Sequence, residues 1–162
     1  MTTAAAQKKL SGELMGLLKR SALEDRLIPR SLDLAGLLKN KIFLVHVIRE
    51  GLPYIVFDLI RETSPFSMQD WAGFLDISSK SLQRYKARKS RFKSIHSEKI
   101  LELAEVTQAG MEVFNDRDKL RQWLEAENFA LGGMRPLDLL KDSYGKELVL
   151  SELTRIDEGI FV

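Results

Sequence analysis

Two serines, Ser67 and Ser78, stand eleven residues apart in the stretch SMQDWAGFLDISSKSLQRYKARK. Each has the side chain that accepts from the free N–H groups of a first helical turn, so each marks a helix start. Between them Trp71, Phe74 and Leu75 share one side of a short helical segment, and DIS leaves room only for a tight turn. The second segment must therefore fold back on the first. Met68, Trp71, Ala72, Leu75, Ile77, Leu82 and Tyr85 form the small core expected between them, with Ala72 small where the two helices approach. Two short helices, a tight turn and a basic second helix are the outline of a helix-turn-helix. The outward residues Ser79, Lys80, Ser81, Gln83, Arg84 and Lys86 suit a DNA groove, and Arg88, Lys89, Arg91 and Lys93 lie just beyond. Gln83 and Arg84 are expected at base edges, and Lys86, Arg88, Lys89 and Arg91 at phosphates. The other reading is a helical hairpin whose basic helix only faces solvent.

Charge distribution bears on that choice. The chain as a whole carries a net +2, yet residues 78–99 hold eight basic residues and one acidic, a local net of +7. Residues 1–77 sum to +1 and residues 100–162 to −6. A focused basic stretch is the electrostatic footprint of a polyanion site.

Helical periodicity runs through the remainder. Leu10, Leu14, Leu17 and Leu18 fall at helical spacing in residues 7–20, which makes this region either a dimer element or a helix packed on its own core. Ser31 is a candidate N-cap ahead of Leu34, Leu37 and Leu38. KIFLVHVIRE is rich in β-branched residues, but no partner strand is visible, so it is read as a buried helix ending at Gly51, with Pro53 opening the next. Ser97 is expected to cap a long helix and Asp116 the one after it. In ALGGMRPLDLL, Gly132 and Gly133 break the chain, Pro136 starts a helix, and Asp138 is placed to reach back to free N–H groups. That break either separates two modules or is a turn within one core. A last helix runs over about 144–157 and ends at Gly159. The expected fold is all-α, with roughly eight to ten short helices.

The absence of cysteine rules out disulfides and thiolate chemistry and fits a cytoplasmic protein. No apolar run approaches the roughly 18–20 residues of a membrane span, and no signal-peptide pattern is present. His46 and His96 are far apart, outside any metal-ligand spacing. Nothing matches a nucleophile–base set, a phosphate loop or a paired-carboxylate motif. Neither catalytic residue, metal nor cofactor is expected.

Several segments, in order, resemble one family. VIREGLPYIVFDLI, DISSKSLQRYKARKSRFKSIHSEKILELAEV, VFNDRDKLRQWLEAENFALGGMRPLDLL and RIDEGIFV are similar to the Xre/ParS/MbcA-type antitoxins, which pair with RES-domain toxins. The resemblance runs from about Val47 to the C-terminus. One departure is Arg135, where the family often has a capping Ser or Thr. The resemblance implies a helix-turn-helix DNA-binding core over 47–110 and a toxin-binding helical module over 111–162. Residues 1–46 are then an N-terminal helical region and candidate dimer element. It implies an antitoxin without catalysis that neutralises an NAD-consuming RES-type toxin by blocking its active site. It further implies repression of its own operon through operator DNA, within a toxin–antitoxin complex and away from membranes. A homodimer is expected separately, because helix-turn-helix proteins usually read two half-sites about one helical turn apart. Arg155, Glu158, Gly159, Ile160, Phe161 and Val162 are the residues the resemblance places against the toxin. A stand-alone helix-turn-helix regulator is the alternative.

Overall fold

The computed structural model describes residues 3–20 and 34–160. Among these residues it contains ten α-helices and no β-strand: α1 Thr3–Arg20, α2 Leu34–Lys39, α3 Lys41–Glu50, α4 Tyr54–Thr63, α5 Met68–Leu75, α6 Ser79–Arg88, α7 Ser94–Phe114, α8 Arg117–Glu125, α9 Pro136–Leu139 and α10 Ser143–Asp157. The expected all-α class is observed. The β-branched stretch is helical as α3, with Phe43, Leu44 and Val47 buried, and Gly51 ends it at φ +87°. Ser31 lies outside the described residues, as do the side chains of Leu14, Leu17, Leu18, Leu34 and Leu37.

The scaffold is organised by α7, whose buried residues, from Ser97 and Ile100 to Thr107 and Gly110, take up most of its circumference and leave Glu98, Glu102, Glu105 and Glu112 on the remaining strip. A helix with so wide an apolar face belongs in the middle of a core. Around it pack α2, α3, α4, α5, α8 and α10. Helix α1 lies along α4 and buries Ala6 and Leu10, so these two positions are used within the chain.

Sequence explains most of the boundaries. Ser67 and Asp70 form a complete capping box on α5, Ser78 accepts from Ser81 N–H on α6, and Asp116 accepts from Lys119 N–H on α8. Each such cap contributes about 1 kcal/mol. Ser97 is a correction. Helix α7 begins at Ser94 behind Lys93, which makes no side-chain cap bond. The Ser97 hydroxyl is instead buried one turn inside, accepting from Leu52 N–H at 2.9 Å and donating to the Phe92 carbonyl at 3.3 Å. A second correction concerns Asp138. Its carboxylate takes a bidentate pair from Arg135, at 2.8 and 3.0 Å, rather than the free N–H groups of α9. The pair lowers the Asp138 pKa, Arg135 being the main cause.

Candidate functional site

Helices α5 and α6 are joined at Asp76, which adopts a left-handed conformation (φ +51°) and lets Ile77 N–H close back on the Ala72 carbonyl. Of the expected small core, Trp71, Leu75 and Leu82 are buried, and Ile77 and Tyr85 pack partly against them. Met68 does not belong to it. At the first position of α5 it is 43% exposed and is not among the side chains packed on the core. Phe66, Phe74 and Phe57 complete an edge-to-face aromatic cluster around Trp71, with Phe57 at 5.2 Å.

Leu82 is the single fully buried side chain of α6. Tyr85 adds one more anchor by stacking on Phe92 at 4.4 Å and 16°. The chain just after α6 is fixed in turn. Phe92 N–H donates to the Leu52 carbonyl at 2.9 Å, and Arg91 donates to the Gly51 carbonyl at 3.0 Å. With one face held this way, Ser79, Lys80, Gln83, Arg84, Lys86, Arg88, Lys89 and Arg91 are all exposed, and Ser81 is half-buried against the Ser78 cap. The structure thus brings the nine residues to one hairpin face and its exit, with Arg91 partly committed to the backbone of Gly51.

The cations of this surface are clustered. Among the described residues Lys80, Arg84, Lys86, Arg88, Lys89 and Lys93 form no ion pair and lie close together in the chain, whereas other unpaired cations such as Arg49, Lys119 and Lys141 are scattered, and Lys99, Arg121, Lys146 and Arg155 pair with Glu102, Asp70 and Glu125, Glu105, and Glu152. A surface of unpaired positive charge attracts polyanions over a Debye length of about 8–10 Å at moderate salt. Behind it, His96 meets Tyr85 edge-on at 6.4 Å, with its Nδ1 buried and unbonded. Burial, assisted by the Lys93 charge, holds the His96 pKa below its usual value.

The C-terminal residues expose a second set of side chains. Asn128 and Met134 pair through the Asn128 N–H and the Met134 carbonyl at 3.1 Å, and Gly132 and Gly133 turn the loop between them at φ +69° and +77°. This loop buries Leu131 and leaves Phe129 90% exposed. Helix α10, capped by Asp142, buries Gly145, Val149 and Leu153 and turns Tyr144 (82% exposed) and Leu148 outward. Phe129, Met134, Tyr144 and Leu148 were not singled out from sequence. The available signal was the i, i+4 pair Tyr144/Leu148, opposite a face already filled by Val149 and Leu153. At the end of α10, Arg155 pairs with Glu152 at 3.3 Å, Gly159 turns at φ +70°, Ile160 N–H closes on the Arg155 carbonyl at 2.8 Å, and the Ile160 side chain is exposed. Glu158 is exposed beside it, and Phe161 and Val162 lie outside the described residues. No group of three or more metal-ligating side chains, and no helix long and apolar enough to cross a membrane, occurs among the described residues.

Residues 43–105 match the antitoxin Xre-like helix-turn-helix domain, and residues 109–159 match the antitoxin Xre/MbcA/ParS C-terminal toxin-binding domain. The two matches meet inside the continuous helix α7, so the Gly132–Gly133 turn falls within the second match and not between the two. Over 115 residues the chain is 30% identical to antitoxin Xre of Photorhabdus laumondii subsp. laumondii, covering 70% of this chain and 78% of that protein. It also superposes, with a TM-score of 0.55 and 26% identity, on a chain of the crystal structure of the Mycobacterium tuberculosis MbcT–MbcA toxin–antitoxin complex, covering 65% of this chain and 94% of the other. With a hairpin that folds as a helix-turn-helix and matches to both halves in order, this chain belongs to the Xre/MbcA/ParS antitoxin family.

Proposed function

We propose that this protein neutralises a RES-domain, NAD-consuming toxin encoded beside it and represses its own operon by binding operator DNA, acting in the cytoplasm without catalysis of its own. The observation that carries the first part is the coincidence of the toxin-binding domain match at 109–159 with four exposed large apolar side chains, Phe129, Met134, Tyr144 and Leu148. Exposed apolar groups clustered in one region of a chain mark a partner surface. In this reading they grip the toxin, while Arg155, Glu158, Gly159, Ile160, Phe161 and Val162 carry the tail into its active-site cleft. There Ile160 and Phe161 fill an apolar pocket, and the Val162 carboxylate pairs with the cations that otherwise hold NAD. Operator reading rests on Ser79, Lys80, Ser81, Gln83, Arg84, Lys86, Arg88, Lys89 and Arg91, supported by the unpaired cations of α6. A homodimer would present two such helices about one turn of DNA apart. In this reading residues 47–110 read DNA, residues 111–162 bind the toxin, and residues 1–46 support the core or the dimer.

Co-expression with the RES-domain product of the adjacent reading frame tests the proposal. Growth and cellular NAD are expected to recover with the full chain and to stay depressed with a chain truncated after Glu158. A full chain that neither restores growth nor co-purifies with that product would disprove it.

A further inference from the structure

The 89–93 segment returns along α6 and leaves a cleft of about 400 Å³ lined by Ser81, Arg84, Tyr85, Arg88, Ser90 and Lys93. Arg84 and Arg88 are one helical turn apart and so share a face. Lys93 reaches the same cleft from the other side, held there because Phe92 is stacked on Tyr85 and bonded to Leu52. No carboxylate lines this cleft. Two larger clefts among the described residues also contain basic or amide groups, but each has its own acids: Glu62 and Asp118 in one, Glu112 and Asp116 in the other. Three cations converge here without a counter-charge, which raises the energy of the empty cleft and lowers that of any state with an anion in it.

We infer that this cleft seats one phosphodiester of the DNA backbone, and that Arg84 belongs to it and not to the base edges. The inference rests on the DNA-binding reading above and refines it. The polar groups around the cleft are positive charges and hydroxyls. Those charges match a group that only accepts hydrogen bonds and carries a negative charge. A base edge is neutral and, in most pairs, displays donors as well as acceptors. The dipole of α6 gives no help, because the cleft lies at the C-terminal end of that helix, where the last carbonyls are closed by Lys89 and Ser90 N–H. Binding there rests on the side-chain charges of Arg84, Arg88 and Lys93, and the N-terminus of α7, which starts behind Lys93 with no side-chain cap bond, carries the same sign. The N-terminal half of α6, with Ser79, Lys80 and Gln83, is left to face the bases. Docking the C-terminal half on one phosphate would set how deeply that first half enters the groove.

The experiment uses the full chain and two duplexes of equal length, one from directly upstream of its own coding sequence and one of random sequence, titrated at several salt concentrations. Arg84→Ala, Arg88→Ala and Lys93→Ala are each expected to weaken binding to both duplexes by the same factor, between about three- and thirtyfold. Each should also lower the slope of log affinity against log salt by about one. An Arg84→Ala chain that weakens only on the upstream duplex, with its salt slope intact, reads a base and overturns the inference. So does a set of variants with unchanged binding. A wild-type chain that binds neither duplex at low salt overturns the DNA-binding reading itself, a result distinct from the other two.

Discussion

The Asp70 carboxylate accepts from the Ser67 backbone N–H at 2.8 Å and also from the Arg121 guanidinium, which reaches it from α8. Arg121 further pairs with Glu125 at 2.6 Å and donates to the Pro65 carbonyl at 3.3 Å. One side chain from the C-terminal half thus holds both the cap and the approach to the first helix of the DNA-binding hairpin. Burial pushes the Asp70 pKa up, but the Ser67 N–H and Arg121 outweigh it, so the carboxyl titrates below its usual range.

Removing that arginine leaves Asp70 half-satisfied. Arg121→Ala is expected to lower stability by about 1 kcal/mol, since the group is partly exposed and its charges are partly screened. Arg121→Lys should recover only a fraction, because an ammonium lacks the planar fork that serves Asp70, Glu125 and Pro65 together. Urea unfolding of the three chains measures this, and an Arg121→Ala midpoint equal to wild type would show that the bridge adds nothing.

This bridge also marks the limit of what sequence can tell. The caps Ser67, Ser78 and Asp116, the left-handed Gly51 and the buried face of α3 all follow from local chemistry, and local chemistry is written in consecutive residues. Ser97 is not local in that sense. Its hydroxyl joins Leu52 to Phe92, 45 residues from the first, and nothing in its neighbourhood separates that task from capping. Met68 had the right spacing for the hairpin core but sits where α5 has only just begun. The basic face of α6 was legible because charge density is a property of sequence. The outward presentation of Phe129 was not, because it depends on how Asn128 and Met134 close their loop.

Gly145 and Gly110 are fixed by close approach between helices. A Cβ on Gly145 would come within 1.8 Å of the Leu139 carbonyl oxygen and 2.6 Å of its carbon, which are backbone atoms held by α9. A Cβ on Gly110 would meet Leu120 Cδ1 at 2.5 Å, a side-chain end with some freedom to turn. Gly110→Ala is therefore expected to cost about 1–3 kcal/mol, and Gly145→Ala the upper end of that range or more. Chemical denaturation should rank them in this order; equal losses would mean that the α9–α10 junction yields more readily than the α7–α8 crossing.

His96 links acid pH to the DNA-binding helix. Its folded pKa lies below the ordinary histidine value of 6.5, so the folded state favours the neutral ring. Its contribution to stability is complete above about pH 6.5 and is lost as pH falls through the folded value. Protonation would add a buried, unbonded N–H at Nδ1, with the Lys93 charge nearby and Tyr85 against the ring. The Asp70 contribution fades only at lower pH, below the usual carboxylate value near 3.8. Between about pH 7.5 and 5.5 the wild-type melting temperature should drop, and His96→Phe, which keeps a ring against Tyr85, should flatten that drop. An identical pH profile in both chains would place the sensitivity elsewhere.

Variants at Phe129 and Tyr144 would separate the proposed grip on the toxin from the proposed plug. Both rings are largely in solvent, so Phe129→Ala and Tyr144→Ala should each change stability by less than about 0.5 kcal/mol. If they form the centre of the toxin interface, the double variant should lose binding by about 2 kcal/mol or more, near thirtyfold, since exposed aromatic anchors dominate such surfaces. Truncation after Glu158 removes Gly159 and Ile160 from the end of α10, together with Phe161 and Val162, but leaves that grip in place. The two changes therefore predict different outcomes with the adjacent RES-domain product. The truncated chain should co-purify with it yet fail to protect growth, while the Phe129/Tyr144 variant should do neither. Pull-down and growth measured side by side decide the matter, and a Phe129/Tyr144 double variant that co-purifies as well as wild type would remove these rings from the interface.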